Sequence, residues 1–154
     1  MLPTIKNIIA QQIIDSRGNP TVEATVFLTD GTNGRASVPS GASTGDREAV
    51  ELRDENNPNF HNKGVSGAIN NIHSIITPSL IGMSPFNIME IDKTMIKLDG
   101  TENKSRLGAN AILAVSLANI HAGATHYKQY LYEYIFKYIN SNQYKNYSVL
   151  SMPI

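Results

Sequence analysis

The first forty residues of the chain alternate between apolar and polar positions. From residue 22 to residue 28 every second residue is aliphatic, with threonine, glutamate or phenylalanine between. Successive side chains of a strand point to opposite faces, so this pattern places one apolar row against a core. Glycine-containing turns at 18–20, 30–31 and 33–34 divide the region into three strands, the third near 35–38. The pattern predicts a three-stranded antiparallel meander.

After residue 44 the apolar spacing becomes that of helices. One stripe is expected to end near Pro78 and Gly82, and its members are Val65, Ala68, Ile69, Ile72, Ile75 and Ile76. Ser84 and Pro85 resemble a helix cap followed by proline at the first helical position. The stripe of that next helix consists of Ile88, Ile91, Met95 and Leu98.

Two more helices are predicted in the second half of the chain. Residues 109–124 are apolar on nearly every face, which is typical of a central helix packed against a sheet. A last amphipathic helix begins at Leu131, and its stripe reaches Ile139. Strands followed by helices indicate an α+β fold, a small sheet with about four helices on one side. We expect one domain over 1–139 and a polar linker over 140–154.

Composition narrows the classes of function. The chain has 154 residues, enough for one domain with a core. Lysine plus arginine and aspartate plus glutamate number 13 each, so the formal net charge is zero. Nothing in this balance indicates nucleic acid or an anionic membrane as a partner. A charge near zero also gives little protection against self-association.

The predicted location is the cytoplasm. The sequence has no cysteine, which excludes disulfides and thiolate metal sites and is compatible with a reducing compartment. The first residues lack the cationic and then apolar pattern of a signal peptide. The most apolar stretch, 109–124, is interrupted by polar residues, whereas a membrane helix needs about 20 mostly apolar ones. We therefore expect a soluble protein without a membrane segment.

A loop at residues 39–45 is rich in small hydroxyl residues and glycine, with the sequence PSGASTG. Glycine lets backbone approach a ligand closely, and hydroxyl and carbonyl oxygens suit Mg²⁺. A phosphate-binding loop is excluded, because no Gly-Lys-Ser/Thr follows. From the residues alone, a serine-rich turn is the more common explanation for such a segment.

Other candidate groups are weaker. Glu48 and Glu51 would lie about one helical turn apart and could serve acid–base chemistry, but the neighbouring arginines favour a solvated, ion-paired face. Residues 99–104 are typical of a charged turn before the central helix. The histidines have neither the spacing of a helical zinc site nor an accompanying cluster of acids, and we interpret them as surface or structural residues. They are His61, His73, His121 and His126.

Several blocks of this sequence resemble the enolase family, and they occur in the family's order. Residues 14–23 (IDSRGNPTVE) resemble its opening signature, and residues 38–45 (VPSGASTG) its mobile loop. Residues 99–105 (DGTENKS) and 107–118 (LGANAILAVSLA) are similar to its following loop and central helix. Residues 131–133 (LYE) match the start of the next helix. Together the blocks cover nearly the whole chain.

The resemblance implies the fold predicted above and, for a complete protein, a hydro-lyase. That enzyme, phosphopyruvate hydratase, interconverts 2-phosphoglycerate and phosphoenolpyruvate in glycolysis and uses Mg²⁺ to stabilise the charge left by proton removal. In the family the base, the acid, the main metal ligands and a phosphate-binding arginine belong to a C-terminal barrel. We expect that barrel to be absent, because the sequence stops where its first strand would begin.

Within this chain the resemblance implies a lid that closes over the substrate. Ser43 matches the position that ligates a second Mg²⁺ as the lid closes. Arg17 and Glu23 match positions that pair across the family's homodimer. The lid residues are Ser40, Gly41, Ala42, Ser43 and Thr44.

The sequence also departs from the family pattern. The family usually has glycine and then proline shortly before Leu131, where this chain has Lys128, Gln129 and Tyr130. A helix stop and a helix start are thereby weakened, so we expect the last two helices to run together or to bend differently. Asn62 stands where glycine is usual.

Three hypotheses about function remain. The first is an enzyme part, an enolase N-terminal domain that closes over a barrel. The second is a non-catalytic truncated product acting as a protein-interaction module, and the third is a degraded relic. The intact loop and turn glycines favour the first for ancestry. We expect the chain alone to lack dehydratase activity and to self-associate.

Overall fold

The computed structural model of the chain describes residues 1–39, 48–55 and 58–142. Its sheet has three antiparallel strands in the order β1-β2-β3, which confirms the predicted meander. The strands are β1 (Ile5–Ile14), β2 (Pro20–Leu28) and β3 (Asn33–Ser37). Strand β3 begins earlier than predicted, so Asn33 and Gly34 lie in the strand and not in the turn before it.

The predicted apolar row forms the inner face of the sheet. On β2, Val22, Ala24 and Val26 are fully buried. The register places Val26 between Ile8 and Gly34 and sets Ala24 between small residues of β1 and β3. Side chains of a strand alternate between faces, so the residues between them, Glu23 included, belong to the outer face.

The helices follow the sheet, and together they confirm the α+β class. Helix α1 (Ser66–Asn71) continues through a π-helical turn (Ile72–Ile76) into α2 (Thr77–Leu80). Next come α3 (Ile88–Asp99), α4 (Ala109–His126) and α5 (Leu131–Asn142), and a short 3₁₀ segment (Asn59–Asn62) precedes them all. Counted this way, the described residues hold one small sheet, four successive helical stretches and no barrel. No helix among them is long and apolar enough to cross a membrane.

The irregular turn before α2 has a local cause. Thr77 donates its backbone N–H to the carbonyl of Ile72, five residues back. Pro78, the next residue, has no N–H with which to continue the regular ladder. A π-helical turn is one way to accommodate that missing donor. The predicted stripe is confirmed, since Ala68, Ile72 and Ile76 are buried.

Two helical expectations were wrong. Residues 48–55 form no helix, because their backbone groups bond to other parts of the chain, and Glu48 and Glu51 are therefore not a helical pair. Helix α3 begins at Ile88, and its cap is Asn87, whose side chain accepts from the N–H of Glu90. Ser84 and Pro85 instead belong to the preceding connection.

Helix α4 is the centre of the helical layer and packs against β2 and β3. Its sheet-facing side is made of small residues, and Ala114, Ala118 and Ala122 are fully buried. Small side chains allow the helix axis to approach the sheet closely. The prediction of a central helix is confirmed, and the helix extends to His126.

Helices α4 and α5 do not run together, so the first of the two alternatives expected from the sequence is wrong. Lys128 adopts a left-handed conformation with φ of 53°. Its N–H bonds to the carbonyl of Thr125 at 3.0 Å, and the N–H of Gln129 bonds to that of Ala124 at 3.0 Å. These two bonds form a Schellman motif, in which glycine is the usual residue at the left-handed position. Helix α4 therefore ends in a Schellman motif whose left-handed position is occupied by Lys128.

Candidate functional site

The hydroxyl-rich loop itself lies outside the described residues from Ser40 onward, as does everything through residue 47. The lid residues Ser40, Gly41, Ala42, Ser43 and Thr44 therefore stay a prediction. The structure does describe both flanks of this loop. Those flanks are fixed by contacts that can be followed residue by residue.

The N-terminal flank is fixed to the start of β2. Val38 donates its N–H to the carbonyl of Val22 at 3.0 Å. The hydroxyl of Thr21 donates to the carbonyl of Val38. Thr21 and Val38 are 5% and 3% exposed, so both bonds are shielded from water. This end of the loop continues the pairing of the sheet.

The C-terminal flank is fixed to the start of α4. The side-chain oxygen of Asn110 accepts from the N–H of Leu52, and its amide nitrogen donates to the carbonyl of Leu52, both at 3.1 Å. Val50 donates to the carbonyl of Asn103 at 2.7 Å and accepts from the N–H of Ala109 at 2.8 Å. Asn110 is buried and reproduces, with one side chain, the pairing of a neighbouring strand.

Arg53 ties the same flank to two further segments. One guanidinium nitrogen, Nη1, donates to the carbonyl of Pro20 at 2.6 Å and to that of Lys63 at 2.7 Å. The other, Nη2, lies 2.9 Å from a carboxylate oxygen of Glu51. The predicted ion-paired interpretation is confirmed for Glu51, whereas Glu48 is exposed.

Asp54 completes this attachment by capping α1 from outside the helix. Its carboxylate accepts from the N–H of Gly67 at 2.9 Å and from the N–H and hydroxyl of Ser66. Burial raises the pKa of Asp54, but these hydrogen bonds outweigh burial and hold the pKa below its usual value. A carboxylate here also complements the positive end of the helix.

A buried carboxylate shapes the connection that leads into α4. Asp99 is 1% exposed and accepts from the N–H of Leu107 at 2.7 Å and from the N–H and hydroxyl of Thr101. This connection carries Asn103, the partner of Val50. The predicted charged turn is therefore built around one buried acid, which ties it indirectly to the C-terminal flank of the loop.

The sequence did not reveal these anchoring residues. Arg53 was interpreted as part of a solvated, ion-paired face. That interpretation covers its bond to Glu51 but not the bond to Pro20, 33 residues earlier, or the bonds of Asp54 to Ser66 and Gly67. Asn110 did leave a signal, because an amide in a largely apolar helix needs hydrogen-bond partners when it is buried. The sequence could therefore indicate that Asn110 has an anchoring role, but not that its partner is Leu52.

Of the two predicted dimer residues, one lies in a turn and the other on a strand. Arg17 belongs to the turn between β1 and β2, with Nε 3.7 Å from a carboxylate oxygen of Asp15. Glu23 is 8% exposed on β2, and its carboxylate accepts from Gln11 at 2.8 Å and from Ser37 at 3.0 Å. Their role between subunits stays a prediction.

The histidines and carboxylates of the described residues do not fit a metal site. Across residues 1–39, 48–55 and 58–142, no group of three or more such side chains could hold an ion. His73 has a structural role instead, since its Nε2 accepts the N–H of Ala10 at 2.9 Å. His126 lies 2.7 Å from the carboxylate of Asp30.

Comparison with known proteins identifies the fold. The family profile described as "Enolase, N-terminal domain" matches residues 5–135. Enolase 2 of Lactococcus lactis subsp. lactis (strain IL1403) is 61% identical over 135 residues, which are 88% of this chain and 32% of that protein. The enolase of Streptococcus thermophilus is 61% identical over 134 residues, 87% of this chain and 32% of that protein. Enolase 1 of Lactococcus lactis subsp. cremoris (strain SK11) is 60% identical, with coverage of 88% and 32%.

The chain therefore spans about a third of the length of the curated relatives that it matches. The match includes the sheet, the residues that fix both flanks of the loop, and the central helix. The family profile matches most of the chain, and three enolases are 60–61% identical to it over the matched residues. This protein therefore belongs to the enolase family and carries that family's N-terminal domain.

Proposed function

We propose that this chain serves as the N-terminal domain of an enolase, a hydro-lyase that dehydrates 2-phosphoglycerate reversibly to phosphoenolpyruvate in glycolysis. The observation that carries the proposal is the match of residues 5–135 to the family's domain. The proposed place of action is the cytoplasm. The proposed domain is 1–139, with 140–154 leading towards the barrel that performs the chemistry.

In this proposal the hydroxyl-rich loop is the domain's contribution to catalysis. The loop closes over the substrate and excludes water, which strengthens electrostatic interactions within the site. Ser43 supplies a hydroxyl oxygen towards the reacting centre. The described flanks support this role, because one is bonded to the sheet and the other to α4.

The proposed metal is Mg²⁺, which stabilises the charge that develops when the proton next to the carboxylate leaves. The described residues do not form its site, so the proposal assigns to this chain one ligand only, Ser43. The remaining ligands would come from the barrel. We also propose a homodimer in which Arg17 and Glu23 lie at the contact between subunits.

The experiment that tests the function is a chimera with a relative. Residues 1–139 of this chain replace the corresponding part of the Streptococcus thermophilus enolase, whose matching segment is 61% identical. We expect the chimera to form phosphoenolpyruvate from 2-phosphoglycerate, followed by ultraviolet absorbance. The 154-residue chain alone is expected to form none.

Ser43→Ala in the chimera tests the site residue. We expect turnover to fall by about 10- to 100-fold and the dependence on added Mg²⁺ to weaken, because one oxygen ligand is lost. Ser43→Thr is the matched control, since it keeps the hydroxyl and should keep most of the activity. A chimera that folds but is inactive would overturn the enzymatic proposal and favour the interaction module. Equal activity of Ser43→Ala and the unmodified chimera would remove Ser43 from the site.

A further inference from the structure

Helix α5 carries aromatic side chains on both of its faces. The inner face packs against the rest of the domain, since Tyr134 is buried in one cluster with Ile88 and Ala124. On the opposite side, which we call the outer face of α5, Tyr132 is 66% exposed and Phe136 is 38% exposed. A surface helix ordinarily turns its apolar residues inwards. Adjacent exposed aromatic side chains therefore mark the outer face as a surface for association.

Two charged residues run beside this aromatic pair. Glu133 and Lys137 are both exposed and are four residues apart, as are Tyr132 and Phe136. Residues at this spacing are neighbours along one side of a helix, so the outer face has an aromatic row and a charged row next to each other. The charged row is acidic towards the N-terminus of α5 and basic towards its C-terminus.

The two charges of the outer face are not matched within the domain. The carboxylate of Glu133 accepts the N–H of Tyr130 at 3.1 Å and the hydroxyl of Tyr132 at 3.3 Å. The ammonium group of Lys137 lies 5.9 Å from the centre of the Tyr127 ring. Neither side chain takes part in an ion pair among the residues that the structure describes. Each charge is therefore available to an opposite charge on a second molecule.

A second copy of α5 complements this pattern when it lies antiparallel. A two-fold axis across the helix reverses the direction of the second copy and keeps each row against the same row of its partner. Glu133 then lies opposite the partner's Lys137, and Tyr132 lies opposite the partner's Phe136. The centres of these two pairings differ by one residue, about 1.5 Å along the helix. One register therefore serves both rows, whereas a parallel copy would place like charges together.

We propose that the outer face of α5 is an interface between two antiparallel copies of this chain. Its charges are complementary to themselves under a two-fold axis, which is the property that a symmetric interface requires. The formal net charge of zero opposes such an association little. The interface is separate from the homodimer contact proposed for the first turn of the sheet and for β2, and it does not depend on enzymatic activity.

Analytical ultracentrifugation of the 154-residue chain over a range of concentrations tests the association. We expect a reversible monomer–dimer equilibrium, together with NMR amide shifts that change with concentration at residues 132–137. A chain that stays monomeric up to about 1 mM, where even weak contacts associate, would overturn the proposal. The outer face would then belong to a different protein or to another segment of a longer enolase. Association that leaves the amide shifts of residues 132–137 unchanged would overturn it as well.

Exchanging the charges tests the pairing itself. Lys137→Glu places acids opposite acids and Glu133→Lys places bases opposite bases, so each variant alone should dimerise at least about tenfold more weakly. An equimolar mixture of the two should associate about as well as the unmodified chain, because every acid then faces a base. Mixing cannot repair a damaged fold, so this recovery separates pairing from general damage. A mixture that associates no better than its components would show that the antiparallel pairing is wrong.

The aromatic row is tested by a variant that leaves Glu133 in place, because that carboxylate also holds the start of α5. Phe136→Ser removes an exposed ring and leaves the inner face intact. We expect it to weaken dimerisation at least about tenfold, since aromatic side chains dominate such contacts. If Glu133→Lys does not fold, Phe136→Ser decides, and an unchanged dissociation constant for it would overturn the proposal.

Lys97→Glu is the matched control for Lys137→Glu. It makes the same change of charge at an exposed position of α3 and should alter the dissociation constant less than about twofold, because charges outside the interface are screened. Equal weakening by the two variants would indicate general repulsion between the molecules in place of a specific interface, and that result would overturn the proposal.

Discussion

A Cβ atom added to Gly34 would lie 2.0 Å from the backbone nitrogen of Ala122 and 2.4 Å from the carbonyl oxygen of Ala118. Strand β3 and helix α4 therefore meet backbone against backbone at this point. Side-chain carbons do not approach other atoms this closely, so any other residue must displace the helix or bend the strand. Gly34 is required here by the packing of α4 on the sheet.

We expect Gly34→Ala to destabilise the domain by about 1–3 kcal/mol, the usual cost of overfilling a well-packed contact. Denaturation of the 154-residue chain by urea measures the difference. Gly67→Ala is the control, since a Cβ there would lie 3.5 Å from its nearest neighbour and should change stability by less than about 1 kcal/mol. Equal midpoints for Gly34→Ala and the unmodified chain would contradict the close approach of α4.

Asp99→Asn should destabilise the connection that leads into α4. The carboxylate accepts at both oxygens, from Thr101 and from Leu107, whereas an amide can accept at only one of them. Losing a buried hydrogen bond to a charged group costs about 1.5–3 kcal/mol of the free energy of unfolding. The loss should appear as a lower melting temperature at neutral pH. Thr101→Val is the comparison, since it removes a hydroxyl and leaves the backbone donor, and its loss should be smaller.

The effect of Asp99→Asn should depend on pH. Burial raises the pKa of Asp99, but the hydrogen bonds from Thr101 and Leu107 outweigh burial and leave the pKa below its ordinary value. A lowered pKa stabilises the fold above the unfolded-state pKa, and this contribution disappears as pH falls through the folded-state value. The gap between the two proteins should therefore narrow in acid. A constant gap would show that the charge of Asp99 contributes nothing.

Periodicity predicted the elements of this fold because each buries one face. The alternation on β2 and the helical stripe through Ile72 were sufficient to predict which residues are buried, since the faces they define are buried in the structure. The residues at which helices begin were predicted less accurately. The cap at Asn87 did leave a local signal, an asparagine followed three residues later by Glu90, and the Ser-Pro pair before it was chosen instead.

Tertiary contacts explain what local patterns could not provide. Gly34 was assigned to a turn because Asn-Gly pairs favour turns, yet the glycine serves the approach of α4. Glu48 and Glu51 were placed one helical turn apart, although the backbone of Val50 and Leu52 between and beside them bonds to the segment around the start of α4. The composition of residues 39–45 drew attention to the loop, but its role as a lid was predicted only by resemblance, because a hydroxyl-rich loop has no period that defines a role.

Lys128→Gly should stabilise the junction between α4 and α5. Lys128 holds a left-handed conformation, with φ of 53°, that costs a residue with a Cβ about 1–2 kcal/mol. Glycine removes this strain and adds freedom to the unfolded chain, so we expect a net gain of about 0.5–1 kcal/mol. Lys128→Ala is the control, because it removes the charge and keeps the Cβ, and it should bring no such gain. Equal midpoints for the glycine and alanine variants would argue against the Schellman motif.

Asp92 is a half-buried acid on α3 that the described fold does not satisfy fully. Among the described residues its Oδ1 is enclosed without a hydrogen-bond partner. Burial raises the pKa of Asp92, and the hydroxyl of Ser116 on α4 opposes that rise only in part. Folding therefore disfavours the charged form of Asp92 relative to the unfolded chain.

We expect Asp92→Asn to raise the stability of the domain at neutral pH. Because its pKa is raised, Asp92 contributes most to the free energy of unfolding below its unfolded-state pKa. That contribution is lost as pH rises through the folded-state pKa. Asparagine cannot ionise and still accepts from Ser116, so its advantage should grow from acid to neutral pH, as urea midpoints across that range would show. Asp30→Asn is the control of opposite sign, because hydrogen bonds from Thr32 and His126 lower the pKa of Asp30. Relative to the unmodified chain, Asp30→Asn should lose stability as pH rises. If Asp92→Asn did the same, the charged form of Asp92 would have to stabilise the fold, which would contradict the prediction.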